Sequence, residues 1–151
     1  MRTIEFVLRG KVLGKARPRF TRQGRTYTPH ATREYEDAVR HAYVAAGGVM
    51  LEGPIHIDLE AVSGIQKTAT KKQQTDRLMG NELSLRKPDI DNVEKIVLDA
   101  LNGVAYQDDC NVVSVRKIKG RYEDTPKLLV RVREIEPSEM MSIHSFMWGN
   151  D

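Results

Sequence analysis

The chain has 151 residues, of which 40% are apolar and 30% charged, with a net charge of +3. That is the length of one ordinary domain, able to bury a core without disulfides or a structural metal. The single cysteine, Cys110, excludes an internal disulfide and a cysteine-based zinc site, and no apolar run reaches the roughly 18 residues of a membrane span.

The opening MRTIEFVLRG lacks the apolar core of a signal peptide, so a cytoplasmic location is expected. Within it Ile4, Phe6 and Leu8 alternate with polar positions and predict a half-buried strand. From Phe6 to Arg33 there is no acidic residue, while Arg9, Lys11, Lys15, Arg17, Arg19, Arg22, Arg25 and Arg33 are all positive. The part of this stretch rich in Gly, Pro and Arg predicts an extended loop or ribbon, with Phe20 and Tyr27 set among the arginines. Guanidinium groups on phosphates and rings on bases would suit nucleic acid. Rings that simply pin the loop to the body are the more ordinary reading of the same pattern.

A helix follows, with Thr28 as N-cap, Pro29 at its first position and Gly47–Gly48 as its stop. Its predicted buried stripe is Tyr35, Ala38, Val39, Ala42 and Ala46. The next strand, PIHIDLEAV, sets Ile55, Ile57, Leu59 and Ala61 against a wet side of His56, Asp58 and Glu60. Residues 63–86 are polar, basic and without period, and read as a mobile basic loop carrying Lys67, Lys71, Lys72 and Arg77, with Arg86 and Lys87 following.

In the segment KPDIDNVEKIVLDALNGVAYQDDCN the charge reverses. Asp89, Asp91, Glu94, Asp99, Asp108 and Asp109 surround one base, Lys95. A helix is expected from just after Asp91, as its N-cap, to Gly103, burying Val93, Ile96, Val97, Ala100 and Leu101. Asp91, Lys95 and Asp99 then share one exposed row at i, i+4 and i+8, and extended chain would let Asp89 and Asp91 converge. Singly, each acid has an ordinary role as cap, ion pair or turn former. Together they repel one another unless a cation sits among them. Hard oxygen ligands suit Mg²⁺ or Mn²⁺, whereas an EF-hand fails because Glu94 and Ala100 stand where its glycine and glutamate belong. Carboxylates beside basic loops point to metal-assisted phosphodiester cleavage, with Lys95 stabilising developing charge.

Two further strands are expected in NVVSVRKIKG and KLLVRVREI, joined by the turn RYEDTP. The tail at 137–151 shows no pattern, although Met140, Met141, Phe146, Met147 and Trp148 make it apolar. It reads as a frayed terminus or as a segment docked on the body or on a second subunit.

KPDIDNVEKIVLDALNGVAYQDDCNVV resembles the signature of the RusA-type Holliday junction resolvases, K-P-D-x-D-N-x-x-K-x-x-x-D-A-L-N-G followed by D-D-x-x-V, and GKARPRFTRQGRTYTPHATREYE is similar to that family's basic N-terminal region. The resemblance covers most of residues 3–134. It implies an α+β single domain at 1–136, with a mixed, mainly antiparallel sheet of about four strands and two main helices. It further implies a homodimer that binds four-way DNA junctions and nicks two strands symmetrically with Mg²⁺. Carried over by position, Asp89, Asp91 and Asp109 become the metal-binding and catalytic aspartates, with Asp108 a further metal-binding residue as the other member of the D-D pair. Lys95 becomes the catalytic lysine, and Asp99 takes a supporting role. Lys15, Arg17, Arg19, Arg22, Arg25, Lys67, Lys71, Lys72, Arg86 and Lys87 are the expected DNA contacts. Cys110 and Asn111 depart from the family's usual polar residues, and the tail after Ile135 has no counterpart. The alternatives are a broader flap or fork nuclease and a non-catalytic junction or single-strand binding protein.

Overall fold

The computed structural model describes residues 1–149. Four strands, β1 (Thr3–Arg9), β4 (Ile55–Gly64), β5 (Val112–Glu123) and β6 (Lys127–Glu134), form one sheet in the order β1-β6-β4-β5. The β1–β6 and β6–β4 pairs are antiparallel and β4–β5 is parallel, so the sheet is mixed and mainly antiparallel, as predicted. The two strands flanking RYEDTP are not partners, because β4 lies between them. Their link crosses the end of β4 at Gly64, where a Cβ would stand 2.6 Å from the Pro126 ring.

Two main helices, α1 (His30–Ala45) and α3 (Ile90–Leu101), cover one face of the sheet. Val39 and Tyr43 from α1 and Val93, Ile96, Val97, Ala100 and Leu101 from α3 are buried against Phe6, Ile57, Leu59, Val130 and Val132. Each large aliphatic side chain so buried contributes about 1.5–3 kcal/mol. On α1 the first cap position is Pro29 rather than Thr28, without a side-chain cap, and Tyr43 is buried where Ala46 was expected. Tyr43 can be buried because its hydroxyl donates to the Val49 carbonyl at 2.6 Å while its ring meets Phe6 edge-on.

The opposite sheet face carries charge in register. Glu5 lies opposite Arg131, Arg131 opposite Asp58, and Asp58 opposite Arg116, and each neighbouring pair is an ion pair. His56, expected on the wet side, is buried instead, because Ser114 Oγ at 2.9 Å and Asp58 Oδ1 at 3.0 Å occupy both ring nitrogens.

Residues 63–86 are not structureless. They hold the end of β4 and helix α2 (Lys71–Leu78), which Thr70 and Gln73 cap reciprocally. Arg77, in the basic run, is buried, reaching Glu82 at 3.2 Å and Gln66 at 3.1 Å and lying over the Tyr122 ring. Local polarity hid a segment that one arginine ties to β5. The tail likewise forms a helix, α4 (Pro137–Trp148), with Pro137 in its first turn and a Glu136/Glu139 capping box. None of its residues is buried, and Met141, Phe146 and Trp148 are well exposed. Among the described residues no helix is long and apolar enough to cross a membrane.

Candidate active site

Helix α3 presents the acidic motif. Its apolar stripe faces the core, which turns the row of Asp91, Lys95 and Asp99 away from it. The structure moves the helix start: Asp89, in extended backbone, is the N-cap residue, and Asp91 already lies in the first turn. The first turn closes through Val93 N–H to the Asp89 carbonyl at 3.1 Å, which fixes Asp91 in helical geometry. Neither carboxylate caps the helix. Asp89 accepts from Lys87 Nζ at 2.8 Å, and Asp91 accepts from the Asn92 amide at 3.0 Å. The Lys87 hydrogen bond holds the Asp89 carboxyl below the usual carboxylate range.

Residues outside the motif hold this end. Lys119 of β5 donates to the Arg86 carbonyl at 2.8 Å and the Pro88 carbonyl at 3.2 Å, clamping the chain that delivers Asp89. Lys117 binds Glu94 at 2.8 Å. Neither was legible from spacing, because β5 lies far along the chain. The only hint was that Lys117 and Lys119 alternate with Arg116 and Ile118.

Beyond α3, Tyr106 is buried and donates to the Leu98 carbonyl at 2.7 Å, folding the turn back on the helix. A short 3₁₀ turn, Asp109–Asn111, then precedes β5. Burial pushes the Tyr106 phenol up, and the charges of Asp109 and Asp99 push it further. Asp108 and Asp109 stand against each other. The hydrogen bond with Asp108 raises the Asp109 carboxyl, and Asp109 in turn lowers Asp108. Cys110 donates to Asp108 at 3.5 Å, which pushes its thiol up, the opposite of an activated nucleophile.

Hard carboxylate oxygens, two of them pressed together, are the donor chemistry a divalent cation relieves. One chain, however, keeps them in two groups. Asp89 and Asp91 flank the first turn of α3, whereas Asp108 and Asp109 lie in the loop beyond its far end, where the charges of Asp99 and Lys95 act on Asp109; Asp91 and Asp99 are separated by about 12 Å of helix. Among the described residues no three acidic, imidazole or thiol groups gather into a cation site.

The expected DNA contacts also divide. Arg19, Arg22 and Arg25 are exposed on a small ribbon of β2 (Arg19–Phe20) and β3 (Thr26–Tyr27), with Phe20 and Tyr27 exposed beside them. Arg17, Lys67, Lys71, Lys72, Arg86 and Lys87 are exposed as well. Lys15 is the exception: only 16% of its side chain is accessible, and it lies between Glu36 and Asp99. A groove of about 360 Å³ has Lys11, Arg86, Lys87 and Lys119 on its walls and reaches Pro88, next to Asp89. A larger hollow of about 570 Å³ lies on the opposite sheet face, but its Arg116 and Arg131 are already paired with Asp58 and Glu5.

Residues 9–133 match the family described as Endodeoxyribonuclease RusA. The chain belongs to the RusA endodeoxyribonuclease family. The match spans the ribbon, α3, the Asp108–Asp109 turn and both following strands. The chain is also similar to the uncharacterized protein YqaN of Bacillus subtilis (strain 168), at 30% identity over 143 residues, covering 89% of this chain and 99% of the relative. Membership in the RusA family supports an endodeoxyribonuclease acting in Holliday junction resolution and recombination.

Proposed function

We propose that this RusA-family protein is a Mg²⁺-dependent crossover junction endodeoxyribonuclease that works as a homodimer in the cytoplasm and nicks four-way junctions in symmetric pairs. The observation that carries this reading is the basic groove lined by Lys11, Arg86, Lys87 and Lys119, which runs up to the carboxylate-bearing start of α3. A phosphodiester backbone drawn into that groove is delivered to Asp89 and Asp91, while exposed cations on the ribbon and α2 track adjoining duplex.

Asp89 and Asp91 at the start of α3, and Asp109 with Asp108 in the loop beyond it, are the residues that would hold Mg²⁺, with Mn²⁺ as the alternative, the cation drawing the two groups together. Bound there, the cation supplies positive charge at the scissile phosphate and acidifies an attacking water. Lys95, exposed on the same row, donates to the phosphate oxygen or leaving oxygen as charge grows there. Two cuts placed symmetrically in a two-fold substrate call for two such sites, which a two-fold dimer provides.

The test uses a labelled synthetic four-way junction, with linear duplex, flap and single strand as controls, each with Mg²⁺ and with EDTA. Symmetric nicks confined to the junction, dependent on Mg²⁺ and lost in Asp91→Asn and Lys95→Ala while junction binding persists, are expected. Equal cutting of flaps would replace junction specificity with a broader nuclease. A gel shift without product under any metal would replace the enzyme with a binding protein.

A further inference from the structure

We infer that Glu36 of α1 and Lys15 of the loop after β1 are positioning residues that hold Lys95 through Asp99; the inference rests on the proposed role of Lys95. Lys15 Nζ lies 2.5 Å from Glu36 Oε1 and 3.2 Å from Asp99 Oδ2, and Lys95 Nζ approaches the same Asp99 oxygen at 3.8 Å. Four alternating charges therefore run Glu36, Lys15, Asp99, Lys95, from the α1–α3 gap out to the proposed reacting side of α3.

The inner members are enclosed. Accessible fractions are 12% for Glu36 and 16% for Lys15, against 62% for Lys95. Burial works against the Lys15 charge, yet the two carboxylates outweigh it and raise its pKa. Enclosure and two carboxylate partners separate Lys15 from the exposed Arg17, Arg19, Arg22 and Arg25.

The loop that brings Lys15 there is fixed in place. Lys15 N–H donates to the Asn92 carbonyl at 2.9 Å, and a Cβ at Gly14 would stand 2.9 Å from the Cβ atoms of Pro88 and Asn92. Without Lys15, Glu36 and Asp99 would face one gap as uncompensated like charges. Asp99, repelled by Glu36 across that gap, would then no longer be held where Lys95 meets it. Lys95 would lose its anchor: among the described residues, Asp99 is the carboxylate that meets it within ion-pair distance.

The experiment measures single-turnover junction cleavage, junction affinity as a function of salt, and the side-chain NMR signal of Lys95, assigned by its loss in Lys95→Met. Lys15→Met, Glu36→Gln and Asp99→Asn are each expected to slow cleavage about tenfold or more while leaving affinity and its salt slope unchanged. The pair Lys15→Met with Glu36→Gln should be no slower than the worse single variant, as members of one relay are non-additive. Lys15→Arg, which keeps the charge, should restore most of the rate and serves where Lys15→Met fails to fold.

In the same variants the Lys95 signal should shift and sharpen as its ammonium loosens. That readout needs no turnover, so a wild-type protein that cuts no junction would sink the resolvase reading while the signal still decides the relay. Weakened binding with a shallower salt slope in Lys15→Met would make Lys15 a phosphate contact and overturn the inference. An unmoved Lys95 signal in Asp99→Asn would overturn it as well.

Discussion

Gly14→Ala offers a direct test of how the basic N-terminal loop is coupled to the acidic helix. The added methyl would lie 2.9 Å from Pro88 Cβ and 2.9 Å from Asn92 Cβ. Carbon atoms in contact prefer about 3.5–4.0 Å, so the loop and the helix start must separate by about 0.6–1 Å. Neither neighbour can rotate away, because each is a Cβ fixed to backbone, Pro88 just before the N-cap Asp89 and Asn92 in the first turn of α3. Gly14 has no positive φ, so the backbone tolerates alanine and the effect comes from crowding alone. Overpacking of this kind costs about 1–3 kcal/mol, which for a chain of this length lowers the melting temperature by about 2–12 °C. The separation also pulls on the Lys15 N–H to Asn92 carbonyl bond, 2.9 Å long, and moves Lys15 relative to Asp99. A displacement near 1 Å beside reacting groups can cost up to about 100-fold in rate. Thermal unfolding by circular dichroism and single-turnover junction cleavage read the two effects. A variant that melts with the wild type and cuts at the same rate would refute the coupling of loop to helix.

Asp58→Asn tests the charged sheet face: burial alone would raise the Asp58 carboxyl, but Arg116 and His56 outweigh it and hold it below its ordinary 3.8. A depressed carboxylate stabilises the fold above that value and ceases to as pH falls through its folded pKa, so the variant should be less stable by about 1 kcal/mol at neutral pH, after screening at exposed Arg116. The gap should close below 3.8 in denaturant titrations across pH, and a gap constant with pH would discard the argument. Tyr106→Phe removes the hydrogen bond to the Leu98 carbonyl and should cost about 0.5–1.5 kcal/mol in urea unfolding. No loss would mean the ring alone fixes the turn before Asp108. Mg²⁺ at 100 times Kd should stabilise the wild type by about 2.7 kcal/mol, seen as a higher melting temperature, and stabilise Asp109→Asn less. Equal shifts in the two proteins would remove Asp109 from the cation's ligands.

What the sequence disclosed follows from what is local. The 3.6-residue stripe from Val93 to Leu101 and the alternation from Ile55 to Ala61 each repeat within a few residues, so both buried faces could be read directly. The acidic motif was equally visible, because its members lie along one helix and the loop that follows it. Three features escaped for one shared reason: each is settled by a partner distant in the chain. Residues 63–86 look structureless until Arg77 meets Tyr122, a residue of β5. His56 looks solvated until the parallel pairing of β4 with β5 brings Ser114 opposite it. Lys15 looks like one more cation in a basic run until α1 and α3 close on it with Glu36 and Asp99. Composition records that a lysine is positive, but only its surroundings decide whether that charge faces a phosphate or holds two carboxylates. A basic run can therefore contain both kinds: the exposed arginines of the ribbon stay free for a polyanion, while Lys15, a few residues earlier, spends its charge inside the protein on the row that carries Lys95.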